Sequence, residues 1–115
     1  MKKNSIKNLA LISEMKVYLK DKGYKVEEEV VFSKIMDTRR RYRADFLIRS
    51  HNTIIEINGG QWTQGRHTRA SKVKGKDYTQ YENDLNKLNL AQINGFKILQ
   101  FTYEQLGRQD YKNLL

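Results

Sequence analysis

Asp45 and Glu56 are the two residues of this chain best placed to do chemistry, each the lone acid in an apolar or basic run. Residues 42–48 and 53–58 both read as β-strands, and a carboxylate in a strand interior costs free energy unless it is paired or ligated. Two of them on neighbouring strands point to a shared metal ion. Side chains alternate faces along a strand, so Asp45 goes with Leu47, and Glu56 goes with Ile54 and Asn58. A two-residue turn at His51-Asn52 would set Ser50 opposite Thr53. Leu47 then faces Glu56 and Asp45 faces Asn58. The two carboxylates become diagonal neighbours about 7–8 Å apart, within reach of one cation. Gly59 and Gly60 end the second strand and let the backbone turn. A slip of one residue would send the acids to opposite faces and destroy the site.

The neighbourhood of this pair is basic. Arg39, Arg40, Arg41 and Arg43 lead into Asp45. Beyond the second strand, residues 61–76 read as a long loop in which Arg66, Arg69, Lys72, Lys74 and Lys76 are interrupted by no acid, with His67 among them. Loops of this length beside a site are usually functional or disordered. Trp62 either anchors this loop or stacks on a base. Over all 115 residues, 22 Lys and Arg oppose 13 Asp and Glu, a formal charge of +9. Clustered positive charge of this size on a small domain points to a polyanion, nucleic acid above all.

The elements that must position these residues follow from periodicity. Residues 5–22 read as a helix with Leu9, Ile12, Met15 and Leu19 as its stripe, widened by Leu11 and Tyr18, and with Gly23 as its stop. Glu14, on that helix, either faces solvent or looks toward the carboxylates. Residues 26–33 read as the first strand, its Glu27-Glu28-Glu29 a solvated edge, and residues 35–38 as a connector. Residues 77–94 read as a second long helix with Asp77 as N-cap, a stripe of Tyr78, Tyr81, Leu85, Leu88 and Ala91 or Gln92, and Gly95 as stop. Residues 96–102 are a last strand, and 103–115 a short helix or turn. The order helix, three strands, helix, strand gives an α/β fold with a mixed sheet between helices: an antiparallel meander, then a parallel pair made by a right-handed crossover. The length suits one domain. Cysteine is absent, which excludes disulfides and thiolate zinc sites. No run is apolar enough for a signal peptide or a membrane span, so the expected compartment is the cytoplasm.

Asp45, ten intervening residues and then Glu56-Ile57-Asn58 resemble the PD-(D/E)XK motif of a nuclease superfamily, on the αβββαβ order of its restriction-endonuclease-like core. More closely, the chain resembles small phage and prophage endonucleases of that superfamily. The resemblance runs over residues 39–102: the arginine run, EINGGQWTQGRHTR, the spacing of Asp84, Lys87 and Asn89 on the helix, and GFKILQFT. Ala44 replaces the motif's proline, and Asn58 stands where the motif has its lysine. The resemblance implies a DNA endonuclease of a bacterial host cell, of phage or prophage origin. Mg²⁺, with Mn²⁺ able to substitute, would be held by Asp45, Glu56 and the backbone carbonyl of Ile57. Lys87 is the candidate replacement for the missing lysine, with Asn58 and His67 as further catalytic candidates; the competing role for Lys87 is an exposed pair with Asp84. Arg39, Arg40, Arg41, Arg43, Gln61, Arg66, Arg69, Lys72, Lys74 and Lys76 would contact DNA. Two other readings compete: a nuclease-fold DNA-binding module whose chemistry is impaired, and a structural or regulatory protein whose acids only balance arginines. A Holliday-junction resolvase, as a subtype of the first reading, would require a homodimer that presents two sites.

Overall fold

The computed structural model describes residues 5–57, 70–73 and 76–115, with residues 70–73 and 76–81 described by their backbone alone. Helix α1 spans Ile6–Asp21. Ser5 caps it by accepting the Asn8 amide at 3.1 Å, and Gly23 (φ +91°) turns the chain out of it, a left-handed conformation that glycine adopts without penalty. The face that α1 buries holds Met15 and Leu19 with Leu11, Ile12 and Tyr18 beside them. Leu9, expected in that stripe, is 53% exposed. At 3.6 residues per turn it lies about 120° round the helix from the stripe's centre.

Four strands form the main sheet in the order β1 (Glu27–Val31), β2 (Arg43–Ile48), β3 (Thr53–Ile57) and β6 (Lys97–Phe101). The first three are antiparallel neighbours and β3 pairs with β6 in parallel, as the crossover argument requires. Between β3 and β6 come β4 (Ala70–Val73), β5 (Lys76–Thr79) and helix α2 (Gln80–Ile93). The chain ends in the short helix α3 (Tyr103–Gly107) and a 3₁₀ turn at Asp110–Asn113. Helices cover both faces of the sheet. On one face α1 packs with Phe46, Ile48, Ile55, Phe101, Leu106 and Tyr111; on the other Ala91 of α2 meets Leu47, Ile54 and Phe32. Among the described residues no helix is long and apolar enough to cross a membrane.

Three expectations are corrected. First, residues 70–73 and 76 are not loop: β4 and β5 form an antiparallel hairpin with Lys72 opposite Asp77. Helix α2 consequently starts at Gln80, and Asp77 lies in a strand instead of capping it. Four-residue strands are too short for alternation to show against a basic background. Second, the β2–β3 connection is a 3₁₀ turn at Arg49–His51 closed by Asn52 in the left-handed conformation (φ 48°), not a two-residue turn. The register becomes Ile48–Thr53, Leu47–Ile54 and Phe46–Ile55. It is shifted by two residues, so every side chain keeps its expected face. Third, of the α2 stripe expected from the sequence Ala91 is buried, but Leu85 and Leu88 are half-buried outside the core clusters, and the side turned to the sheet is rotated away from them. Ala91 is its buried residue and Leu90 packs beside it, whereas Gln92 is exposed. Lys87, expected off the stripe, is one helical turn from Ala91 and faces the sheet.

Candidate active site

Continuing the β2–β3 register by one pair places Asp45 opposite Glu56, closer than the diagonal arrangement expected from the two-residue turn. The regular pairing stops at Phe46–Ile55, and beyond it the two acids serve each other's backbone. The Asp45 amide donates to Glu56 Oε2 at 3.0 Å, and the Ile57 amide donates to Asp45 Oδ2 at 2.9 Å. Glu56 lies with Ile54 on the sheet face that α2 covers, and Asp45 stands close enough to feel the same α2 lysine, Lys87. Lys87 reaches down from α2 and its Nζ donates to Glu56 Oε1 at 2.5 Å. The side chains of this pair are only 19% and 11% exposed. The Lys87 ammonium also stands 5.7 Å from the centroid of the buried Phe32 ring. Its stem therefore runs along apolar surface and its charge emerges at the carboxylates.

Electrostatically, two carboxylates face one ammonium. Burial pushes both acids up from the ordinary carboxylate range. For Asp45 the Ile57 amide and Lys87 oppose that shift, and Glu29 adds to it. For Glu56 the Lys87 charge opposes it, and Asp45 adds to it. The surplus negative charge suits a hard divalent cation, which prefers oxygen donors and keeps several waters. Asp45 and Glu56 are the two carboxylates that Lys87 faces, and among the described residues no group of three or more His, Cys, Asp or Glu is arranged to hold a metal. Each carboxylate oxygen engaged by an N–H retains a second lone pair. The donor set thus fits a Mg²⁺-like ion that takes its remaining ligands from water and substrate.

The structure brings together Asp45, Glu56, Ile57 and Lys87. Glu14 is excluded from the site, for it is exposed on α1, across the sheet from the carboxylates. Asn58, Gln61, Arg66, His67, Arg69 and Lys74 lie outside the described residues, as does Trp62; Lys72 and Lys76 are described in backbone only. Arg39, Arg40, Arg41 and Arg43 are all exposed at the approach to β2, where Arg43 pairs with Glu29 at 3.4 Å. The triple acid behaves as a charged strand edge: Glu27 pairs with Arg49 at 2.8 Å, Glu28 with Lys16 at 2.9 Å, and Glu29 with Arg43.

Two contributors carry no signal in the sequence. Phe32 supplies the ring beneath Lys87, and Glu29, with φ 55° inside a strand, sits beside Asp45. A positive φ in a glutamate is rare and strained, and such strain gathers at sites. Phe32 reads as an ordinary core residue and Glu29 as one of three like acids, so neither stands out from its neighbours. Comparison of the chain with protein-family models, with curated proteins and with solved structures finds no match.

Proposed function

We propose that the protein is a divalent-metal-dependent DNA endonuclease that hydrolyses phosphodiester bonds, built on a restriction-endonuclease-like core of the PD-(D/E)XK kind. The observation that carries the reading is the meeting of Lys87 with Glu56 beside Asp45. A helix on the covering layer delivers one ammonium to the buried Glu56, opposite the half-buried Asp45. Carboxylates that only balanced surface arginines would have no need of a lysine from another layer.

Asp45 and Glu56 would hold Mg²⁺, with Mn²⁺ as a substitute, and the Ile57 carbonyl is the third ligand expected from the motif. The ion, when bound, supplies a Lewis acid for the phosphate and an activated water. The chain's own residues do the rest. The strand amides of Asp45 and Ile57 fix the orientation of the two carboxylates. Lys87 holds a positive charge at the carboxylate edge, where a phosphate gathers negative charge during hydrolysis. Asn58 orients water but contributes no charge, and His67 positions a phosphate or a proton. The exposed arginines before β2 and the basic residues 66–76 hold the DNA backbone, which gives affinity with little sequence information. A branched-DNA substrate would call for a homodimer.

A catalytically impaired DNA-binding module on the same fold is the second reading. Asn58 in place of the motif lysine favours it, as does the engagement of both acids by strand amides. The deciding experiment incubates the protein with supercoiled plasmid, linear duplex, single strand and a four-way junction, each in Mg²⁺, Mn²⁺ or EDTA. Cleavage that requires the metal supports the endonuclease, and binding to DNA with no cleavage in either metal supports the module. Replacing Arg66 and Arg69 together is expected to weaken DNA binding and to reduce its salt slope by about 0.9 for each phosphate that the arginines no longer neutralise. An unchanged slope in a salt titration would place those arginines away from DNA.

A further inference from the structure

One turn of α2 on either side of Lys87, a second set of side chains faces the approach to β2. Arg40 lays its guanidinium over the Tyr42 ring, Cζ 5.0 Å from the centroid, and its Nη2 donates to the Tyr42 hydroxyl. That hydroxyl donates in turn to Asn83 Oδ1 at 3.3 Å. Underneath, the Tyr42 ring meets Phe32 edge-on with centroids 5.8 Å apart, and Phe32 is the ring beside the Lys87 ammonium. An unbroken string of contacts therefore joins an exposed arginine to the carboxylate pair. Beside the string opens a cleft of about 350 Å³ lined by Arg40, Tyr42, Asn86 and Leu90. Residues 83, 86, 87 and 90 recur at helical spacing, so the cleft and Lys87 share one face of α2.

The lining sorts ligand chemistries. Tyr42 and Leu90 give an apolar wall, Asn86 gives a donor–acceptor amide, Arg40 gives a planar cation, and no carboxylate is present among them. A volume near the low end of the range for small-ligand sites suits one planar heterocycle with its phosphate. Amide side chains pair with base edges, aromatic and guanidinium planes stack on bases, and a guanidinium forks onto phosphate. A base stacked and paired inside a duplex cannot enter such a cleft; one outside the stack can.

Resting on the reading of the protein as a DNA endonuclease, we infer that the Arg40–Tyr42–Asn86–Leu90 cleft is a nucleotide subsite. It takes one unstacked base of the DNA beside the cut. The substrate class is accordingly DNA with an unpaired nucleotide, at a bulge, branch, flap or single strand, in preference to continuous duplex.

The test measures binding in EDTA, where nothing depends on cleavage. Three labelled duplexes are titrated by fluorescence anisotropy with the full chain: one fully paired, one with a single-nucleotide bulge, and one with the same bulge made abasic. The base-bearing bulge is expected to bind about tenfold more tightly than the abasic one, the scale of one base stacked on the guanidinium plane that Arg40 lays over Tyr42. Asn86→Trp, at an exposed helix position where folding is checked by circular dichroism, fills the cleft. It should bring the two bulged duplexes within about twofold of each other, since the base can no longer stack in the cleft. Equal binding of the two by the wild-type protein overturns the subsite, and so does a preference that survives Asn86→Trp. Failure to bind any of the three duplexes overturns the DNA reading itself, whereas equal binding of all three removes the subsite alone.

Discussion

Asp45→Asn is expected to abolish metal-dependent cleavage and, in the same protein, to raise the melting temperature of the metal-free state. The amide keeps an oxygen that can accept the Ile57 N–H, so the local geometry survives, but the charge is gone. Glu56 keeps its Lys87 partner. On the catalytic side the variant loses one of the two acids proposed to hold the ion. Cleavage should fall by at least about a hundredfold, the scale on which one electrostatic stabiliser acts. On the stability side the sign follows from the direction of the shift. Burial holds Asp45 above its ordinary range, so the fold favours the neutral acid. That contribution is fully present below the unfolded-state value and is lost as pH rises through the raised folded-state value. At neutral pH the ionised Asp45 of the metal-free protein is therefore a liability, and an uncharged isostere removes it. Thermal melts in EDTA should show the wild-type protein losing stability as pH climbs out of the carboxylate range, with a smaller loss in Asp45→Asn. Mg²⁺ should restore the wild-type protein by binding the native state, and should do little for the variant. A variant that melts lower than wild type at neutral pH without metal, or that still cuts, would leave Asp45 as a structural acid.

The same chemistry explains which parts of the molecule could be read from its sequence. The mixed sheet was legible because β2, β3 and β6 are short runs in which at least half the residues are large and apolar, and because the turns beside the helices carry Gly23 and Gly95, both at positive φ. The pairing of Asp45 with Glu56 was legible in face and not in register. Parity alone decides the face, whereas register depends on turn length, and nothing in Arg49-Ser50-His51-Asn52 announces a 3₁₀ turn. Helix α2 shows the opposite failure. Hydropathy places Leu85 and Leu88 on the buried side, yet the stripe turned to the sheet includes Lys87 and Asn83. Polar residues occupy a covered face where a site needs them, and a search for apolar periodicity then finds Ala91 but misses the rest of that face. Hairpin β4–β5 was hidden for a simpler reason, since four-residue strands of mixed polar and apolar residues leave no alternation to count.

Lys87→Met is expected to lower the cleavage rate at saturating DNA and Mg²⁺ by at least tenfold, about 1.4 kcal/mol of transition-state stabilisation. Methionine keeps most of the stem that runs past Phe32 and deletes only the ammonium. The rival role for this lysine, an exposed pair with Asp84, supports a helix by only about 0.2–0.5 kcal/mol. The geometry argues against it as the main role, because the Lys87 side chain is 19% exposed and its Nζ is on Glu56. Removing the charge has a structural consequence that must be separated from the catalytic one. Glu56 loses the partner that opposes its upward shift, so it binds a proton more readily in the metal-free protein. Bound Mg²⁺ would supply the missing positive charge, and saturating metal therefore isolates the catalytic effect. Two readouts complete the separation. DNA affinity in EDTA should change little, because Lys87 is mostly covered and the exposed arginines before β2 remain. Lys87→Arg should recover part of the missing rate, since a cation returns to the carboxylate edge with altered geometry. A Lys87→Met rate within about twofold of wild type, a difference well under 1 kcal/mol, would confine the lysine to balancing Glu56. The charge that the phosphate requires would then have to come from the basic residues after β3, with Asn58 and His67 the next positions to replace.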